Sequence, residues 1–409
     1  MPGAFHIMTK PVGAACNLAC RYCFYLEKSA LYPKKEASRM KPEVLREYIR
    51  QYIESQPTPE VVFAWQGGEP TLYGLDGFRQ IVAWQEELAG GKTIRNSLQT
   101  NGTLINKEWA GFLRKHQFLV GISIDGPADL HDTFRVDRRG GTTFAEVLRG
   151  LKLLRKHQVE FNTLTVVNRR NARHPDRIYD FLDKIGSRFW QFIPVVERMP
   201  TDGASCQGPG PTLSPAPSPG QPSDEGTKVT PWSVNPRDYG DFMCRIFDRW
   251  VAKDVGRIFV QAFDTAFAQW LGQPSPLCVH AKECGNAMAM EYNGDVYACD
   301  HYVYPDHRLG NLMETPLPEL AEDPRQIAFG QAKASTLPEK CRQCPWLFAC
   351  AGGCPKQRFV PPKKGTHPDN YLCEGYFRFF EHIDPAMRTM AKLYQRGLPP
   401  AQIMKTGIL

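Results

Sequence analysis

Nowhere in the 409 residues is there a run of about eighteen apolar side chains, so no segment is expected to span a bilayer. The first twenty residues also lack a basic start followed by an apolar stretch. No secretory leader is therefore expected, and a cytoplasmic location is. A large excess of one charge is missing too. Fifty Lys and Arg against 43 Asp and Glu leave a net charge of +7, with the basic residues dispersed. That favours solubility and argues against nucleic acid or membrane as a partner. At 42% apolar residues the chain builds a core without cross-links. Cysteine, by contrast, is abundant: there are 13. In a reducing compartment so many thiols point to metal ligation rather than disulfides.

Three of them lie close together in Cys16-Asn-Leu-Ala-Cys20-Arg-Tyr-Cys23, just after the apolar run Phe5, Ile7, Met8, Val12. Such spacing wraps three soft ligands around one compact centre, and thiolates select iron–sulfur clusters, zinc or Cu(I). Three ligands on a four-iron cubane leave one iron open to a small chelating molecule. A structural zinc knuckle is the alternative, although zinc sites usually take four ligands.

From Phe5 to about Val196, short β-rich runs alternate with amphipathic ones. Candidate strands are Phe5–Lys10, Val61–Trp65, Ile94–Thr100, Leu119–Ile124, Phe161–Val167 and Phe189–Ile193; candidate helices are Pro42–Ile53, Phe78–Leu88, Lys107–Lys115, Phe144–His157 and Asp176–Ile185. This order implies an α/β fold of parallel βαβ units, best fitted by a partial (β/α)6 TIM-type barrel over residues 1–204. Ligands bind at the C-terminal ends of such strands, and the thiol loop follows the first one. Residues 205–231 are rich in Pro, Gly and Ser and read as a flexible insert that buries little; Cys206 lies in it and is expected to be uninvolved. A helical linker follows over 232–277, with Cys244 read as a core residue, then a cysteine-rich domain over 278–380 and a C-terminal helix and tail over 381–409.

That domain carries Cys278, Cys284, Cys299, Cys341, Cys344, Cys350, Cys354 and Cys373, four of them as Cys-x2-Cys-x5-Cys-x3-Cys. Eight thiols saturate two four-iron clusters or two zinc ions, and spacing alone does not separate these. Asn293-Gly294-Asp295 reads as a hairpin turn of the primed type between two short strands.

Taken together, the chain resembles the radical S-adenosylmethionine enzymes carrying a SPASM domain, and within them the anaerobic sulfatase-maturating enzymes. The likeness lies in Cys16–Lys28, Trp65-Gln-Gly-Gly-Glu-Pro-Thr71, Gln99-Thr-Asn-Gly102, Ser123-Ile-Asp-Gly-Pro127 and Gly294-Asp-Val-Tyr-Ala-Cys-Asp-His301. It implies three 4Fe-4S clusters and reductive cleavage of S-adenosylmethionine to a 5′-deoxyadenosyl radical. That radical would oxidise a cysteine or serine of a sulfatase polypeptide at Cβ to Cα-formylglycine. It also implies a low-potential electron donor such as flavodoxin or ferredoxin. By the same resemblance Cys16, Cys20 and Cys23 hold the cofactor-binding cluster. Cys278, Cys284, Cys299 and Cys354 hold a nearer auxiliary cluster, and Cys341, Cys344, Cys350 and Cys373 an outer one. Tyr22, Gly68, Glu69, Ser123, Arg135 and Val196 are expected on the cofactor, Tyr25 and Gln66 on the peptide. Asp300, immediately after Cys299, is expected to take the substrate's thiol or hydroxyl proton, with His301 as a competitor. Two other readings stay open: a maturase that crosslinks another ribosomal peptide, and a non-catalytic zinc scaffold.

Overall fold

The computed structural model describes residues 3–32, 38–200, 213–221 and 226–405. Its first strand, β1 (His6–Thr9), leads through the thiol loop into α1 (Pro42–Ser55). Pro42 opens that helix, where a missing N–H is harmless, and Val44, Leu45, Tyr48, Ile49, Tyr52 and Ile53 form its buried stripe. Tyr48 and Tyr52 stack on one another and meet Phe63 edge-on, so the helix is held by aromatic packing on the sheet.

The alternation continues through β2 (Glu60–Trp65), α2 (Leu75–Leu88), β3 (Thr93–Thr100), α3 (Lys107–Lys115), β4 (Leu119–Ser123), the short α4 (Ala128–His131), α5 (Phe144–Lys156), β5 (Phe161–Val167), α6 (Pro175–Lys184) and β6 (Phe189–Pro194). These six strands are parallel and adjacent in sequence order, as βαβ units require. The sheet stays open, because β1 and β6 each take a different outer neighbour. After α7 (Pro236–Lys253), the two-residue β7 (Phe259–Val260) extends the β6 edge in parallel and leads into α8 (Gln261–Trp270).

On the other edge β8 (Ala287–Met290) pairs in parallel with β1, and β9 (Asp295–Tyr297) and β10 (Arg308–Asn311) follow antiparallel. The cysteine-rich part thus continues the barrel-type sheet rather than standing apart from it. This covers an edge of β1 that would otherwise expose a row of unpaired backbone groups. The β8–β9 connection departs from the primed turn expected. Glu291 pairs with Asp295 through N–H···O, Gly294 N–H reaches back to the Glu291 carbonyl, and Gly294 alone in the loop takes positive φ, at 90°. Asn293 instead uses its amide to bond Asp295, so the loop is a three-residue turn closed by glycine.

Beyond the hairpin come α9 (Leu317–Ala321), α10 (Pro324–Ser335), α11 (Glu339–Arg342), α12 (Leu347–Cys350), the small pair β11 (Arg358–Val360) and β12 (Asp369–Asn370), and α13 (Cys373–Gln395). The last helix begins on the final cysteine, not after residue 380. Its apolar face (Phe379, Phe380, Ile383, Met387) lies along α7, where Cys244 is buried and donates to the Arg378 carbonyl.

One further difference concerns the Pro-rich insert, whose Cys206, expected to be uninvolved, lies outside the described residues. The described stretch 213–221 does bury surface: Leu213 is 6% exposed and Pro217 is buried. Among the described residues no helix is long and apolar enough to cross a membrane.

Candidate active site

The thiol loop is clamped from both sides. Ala19 and Arg21 donate backbone N–H groups to the carbonyls of Val136 and Phe134, Leu18 bridges Asp137, and Arg138 donates to the Cys16 carbonyl at 2.8 Å. Opposite, Gly68 N–H bonds the Gly13 carbonyl and Glu69 N–H the Ala15 carbonyl, both at 2.8 Å. A Cβ on Gly68 would stand 2.1 Å from the Ala15 oxygen. The glycine of Gly67-Gly68-Glu69 is therefore demanded by the chain's own loop before any ligand arrives.

The buried carboxylate of Glu69 accepts from Thr71 N–H and Oγ1, Thr100 Oγ1 and Asn101 N–H. Oε1 takes three of these bonds and Oε2 one, so the side chain braces the turns after β2 and β3 while Oε2 keeps room for a further donor. Asn101 in turn bonds Asn17 at 2.9 Å and points its amide at Cys16 Sγ, 3.8 Å away, while Leu18 N–H points at the same sulfur from 3.3 Å. Sequence motifs flagged this turn without assigning Asn101 a role.

Tyr22 donates its hydroxyl to buried Asp125 and accepts from Arg135 at 2.9 Å. Burial pushes Asp125's pKa up, and the Arg135 charge works against that. Tyr22 and Arg135 thus form one buried triad with Asp125 beneath the loop. Tyr22 packs with Leu18, Cys20 and Val195, and Cys16, Cys23, Val166 and Trp232 lie against the same cluster. Val196, expected beside the cofactor, belongs to the main core. Successive residues face opposite ways, so the valine facing the loop is Val195. Ser123 ends β4 and accepts from Gln99 at 3.1 Å. Gln66 lies just past β2, anchored by its N–H to the Thr9 carbonyl, and is half-buried.

The cysteine-rich part meets this face at Lys10, which sequence reading missed. Lys10 follows β1, is 2% exposed, and forms an ion pair with Asp300. Burial alone would raise the Asp300 pKa, but Lys10, followed by His301 and Lys356, holds it below the usual carboxylate value. Lys10 also sits 4.3 Å over the Tyr25 ring. Tyr25, expected on the peptide, is buried and donates to Glu291 of the hairpin loop. It joins the two parts of the chain through that bond. His301 lies against Phe24 at 5.0 Å, and burial, then the Lys356 charge, press its pKa down to about 3. It is a neutral and feeble base. Around the rim, buried Glu197 pairs with Lys356 at 2.5 Å, and Lys28 pairs with Glu27 at 3.0 Å below the Tyr304 ring.

All twelve described cysteines are free thiols. Eleven fall into three groups by electrostatic reach: Cys20 and Cys23 act on Cys16; Cys278 and Cys354 act on Cys284 and Cys299; and Cys341, Cys344 and Cys373 act on Cys350. Among the described residues no three His, Cys, Asp or Glu side chains gather at single-ion distances. A four-iron cubane holds its thiolates further apart than one ion does, and all-thiolate groups suit it. The donor sets fit such clusters in chemistry and number.

Comparison with known proteins agrees with this reading. The Radical SAM superfamily matches residues 11–182, and SPASM, an iron–sulfur cluster-binding domain, matches residues 278–345. A serine-type anaerobic sulfatase-maturating enzyme of Bacteroides thetaiotaomicron is 44% identical over 98% of this chain and 94% of its own length. A cysteine-type anaerobic sulfatase-maturating enzyme of Clostridium novyi is 32% identical over 94% of this chain and 97% of its own. The solved structure of anSMEcpe with bound AdoMet and Cp18Cys peptide is 32% identical, with a TM-score of 0.81 over 95% of this chain and 99% of that one. An S-adenosylmethionine site and iron–sulfur clusters come with these two domains, and the chain belongs to the anaerobic sulfatase-maturating enzymes, a family of radical SAM proteins with a SPASM domain.

Proposed function

We propose that the chain oxidises a cysteine or serine of an unfolded or nascent sulfatase to Cα-formylglycine in the cytoplasm, using three 4Fe-4S clusters and a low-potential donor such as flavodoxin or ferredoxin. When bound, S-adenosylmethionine and the clusters supply a hydrogen-abstracting radical and take up the surplus electron. The protein's task is to hold the peptide's Cβ at that radical and to remove the proton on its Sγ or Oγ. Loss of one hydrogen atom, one proton and one electron gives a thioaldehyde or an aldehyde, and water hydrolyses the former.

The observation that carries this reading is the Lys10–Asp300 pair. It joins the residue after Cys299 to the end of the strand from which the thiol loop departs. Asp300, kept ionised by Lys10, is a carboxylate ready to accept the proton. His301 is pressed to about 3 and Asp300 lies below its ordinary value, so basicity does not separate the two; the Lys10 ion pair that fixes the carboxylate favours Asp300. Cys16, Cys20 and Cys23 would hold the cofactor-binding cluster, Cys278, Cys284, Cys299 and Cys354 the nearer auxiliary cluster, and the remaining four the outer one. The buried Tyr22–Asp125–Arg135 triad, Gly68, Ser123 and Val195 would line the cofactor side.

The test is anaerobic incubation of reconstituted protein with serine- and cysteine-containing sulfatase peptides, read by mass spectrometry. Aldehyde formation is expected, together with about twelve irons per chain. A crosslinked peptide without aldehyde, or zinc without acid-labile sulfide, would refute the assignment.

A further inference from the structure

Among the features that the function leaves unused, the Pro-rich stretch Leu213–Gln221 is the most heavily anchored. Pro215, Pro217 and Pro219 stiffen it and lack N–H groups, so it needs few backbone partners and offers its carbonyls outward. Those carbonyls are used: Arg198 donates to Pro215, and the Tyr302 hydroxyl donates to Pro217 at 3.0 Å. At its start, Leu213 N–H donates to Glu27 at 3.2 Å and Ser214 bonds the backbone of Arg198 and Met199. Towards its end, Ser218 bonds His307 at 3.2 Å, and a Cβ on Gly220 would stand 2.6 Å from Thr336. The stretch therefore ties the radical loop's exit, the end of β6 and the cysteine-rich part together. In its middle, Ala216 packs into a small apolar group of Ala298, Tyr302 and Phe329, against which Cys284 and Cys299 also lie.

We infer that residues 213–221 form the outer wall of the nearer auxiliary cluster's site, keeping water and chelators from its Cys284–Cys299 side. Solvent access is one of the main determinants of an iron–sulfur cluster's potential and lability. A wall of this kind therefore sets how well that cluster accepts and keeps an electron. The inference rests on the assignment of Cys284 and Cys299 to one cluster, made above.

The test uses the full-length, anaerobically reconstituted protein. Ala216→Glu pushes a charged side chain into the apolar group, and replacing 214–219 with a Gly/Ser stretch of equal length removes the proline stiffening and the Ala216 contact. Iron release to an excess of chelator is followed by absorbance, and cluster potentials by EPR-monitored titration. About one third of the iron, the share of one cluster in three, should leave at least tenfold faster in both variants. One reduction wave should shift while the other two stay. The Cys284→Ala, Cys299→Ala double variant serves as control. If it loses that third of the iron but both strap variants release iron at the wild-type rate with unchanged potentials, the wall is refuted. If the control keeps its full iron, the ligand assignment itself fails and the wall falls with it.

Discussion

Lys10 and Asp300, 290 residues apart in sequence, form a partly buried ion pair that joins the first barrel strand to the residue following a cysteine of the second metal region. A desolvated lysine is costly unless paired, so each partner depends on the other for its place. Asp300→Asn is expected to lower aldehyde formation by about a hundredfold or more, the usual loss of a general base. Production of 5′-deoxyadenosine should continue, uncoupled from product. Lys10→Met should show the same uncoupling to a lesser degree. Quantifying both products by liquid chromatography in single turnovers checks this, and an unchanged aldehyde yield in Asp300→Asn would remove the carboxylate from the mechanism.

Gly68→Ala addresses the cradle of the thiol loop. Its new methyl would fall 2.1 Å from the Ala15 oxygen, and backbone cannot yield there without moving Ala15 beside Cys16. The strain is worth about 1–3 kcal/mol. The variant should keep its cysteine-rich part intact while loading about four fewer irons than the wild type. Iron analysis paired with EPR of the reduced protein reads this directly.

How much of the site was legible in the sequence depended on how local its causes are. The spacing of Cys16, Cys20 and Cys23 and the strand–helix alternation are short-range signals, and both led to the observed fold. Lys10 left no such trace, since a lysine ending a strand looks like solvent-facing punctuation until Asp300 folds over it. Val195 and Val196 differ only by the parity of the chain after β6, the first packing with the thiol loop and the second with the main core, a distinction composition does not carry. Glu69 and Tyr25 stand out by motif, but their protein partners, Thr100 and Asn101 in one case and Glu291 in the other, are set by chain-distant packing that motifs do not carry. The Pro-rich insert was judged by composition, and composition carries no information about a buried Leu213 or the acceptor carbonyls that dock it.

Asn101 offers a finer test of the radical loop. Its amide points at Cys16 Sγ, and such N–H donors favour the more negative, reduced state of a thiolate-ligated cluster. Asn101→Asp keeps the oxygen that accepts from Thr103 but replaces the donor with a negative charge. The potential of the cofactor-binding cluster should fall by roughly 40 mV or more, about 1 kcal/mol over one electron. EPR-monitored redox titration should show that single shift, with the auxiliary waves in place.

Glu291 supplies a pH dependence separable from catalysis. The carboxyl lies buried in the hairpin loop as acceptor for Tyr25, and burial, against the pull of Lys10, raises its pKa from 4.5 to about 8. Between those values the folded protein holds a proton that the unfolded chain has released, so stability falls as pH rises through that window and levels off above it. The loss is of the order of a few kcal/mol. Glu291→Gln still accepts from Tyr25 and does not ionise. Thermal unfolding of the two proteins from pH 5 to 9 should therefore start with similar midpoints and diverge as pH rises, with the variant melting higher at the alkaline end. Parallel curves across the range would mean that Glu291 is ionised in the fold throughout, with Lys10 shared between it and Asp300.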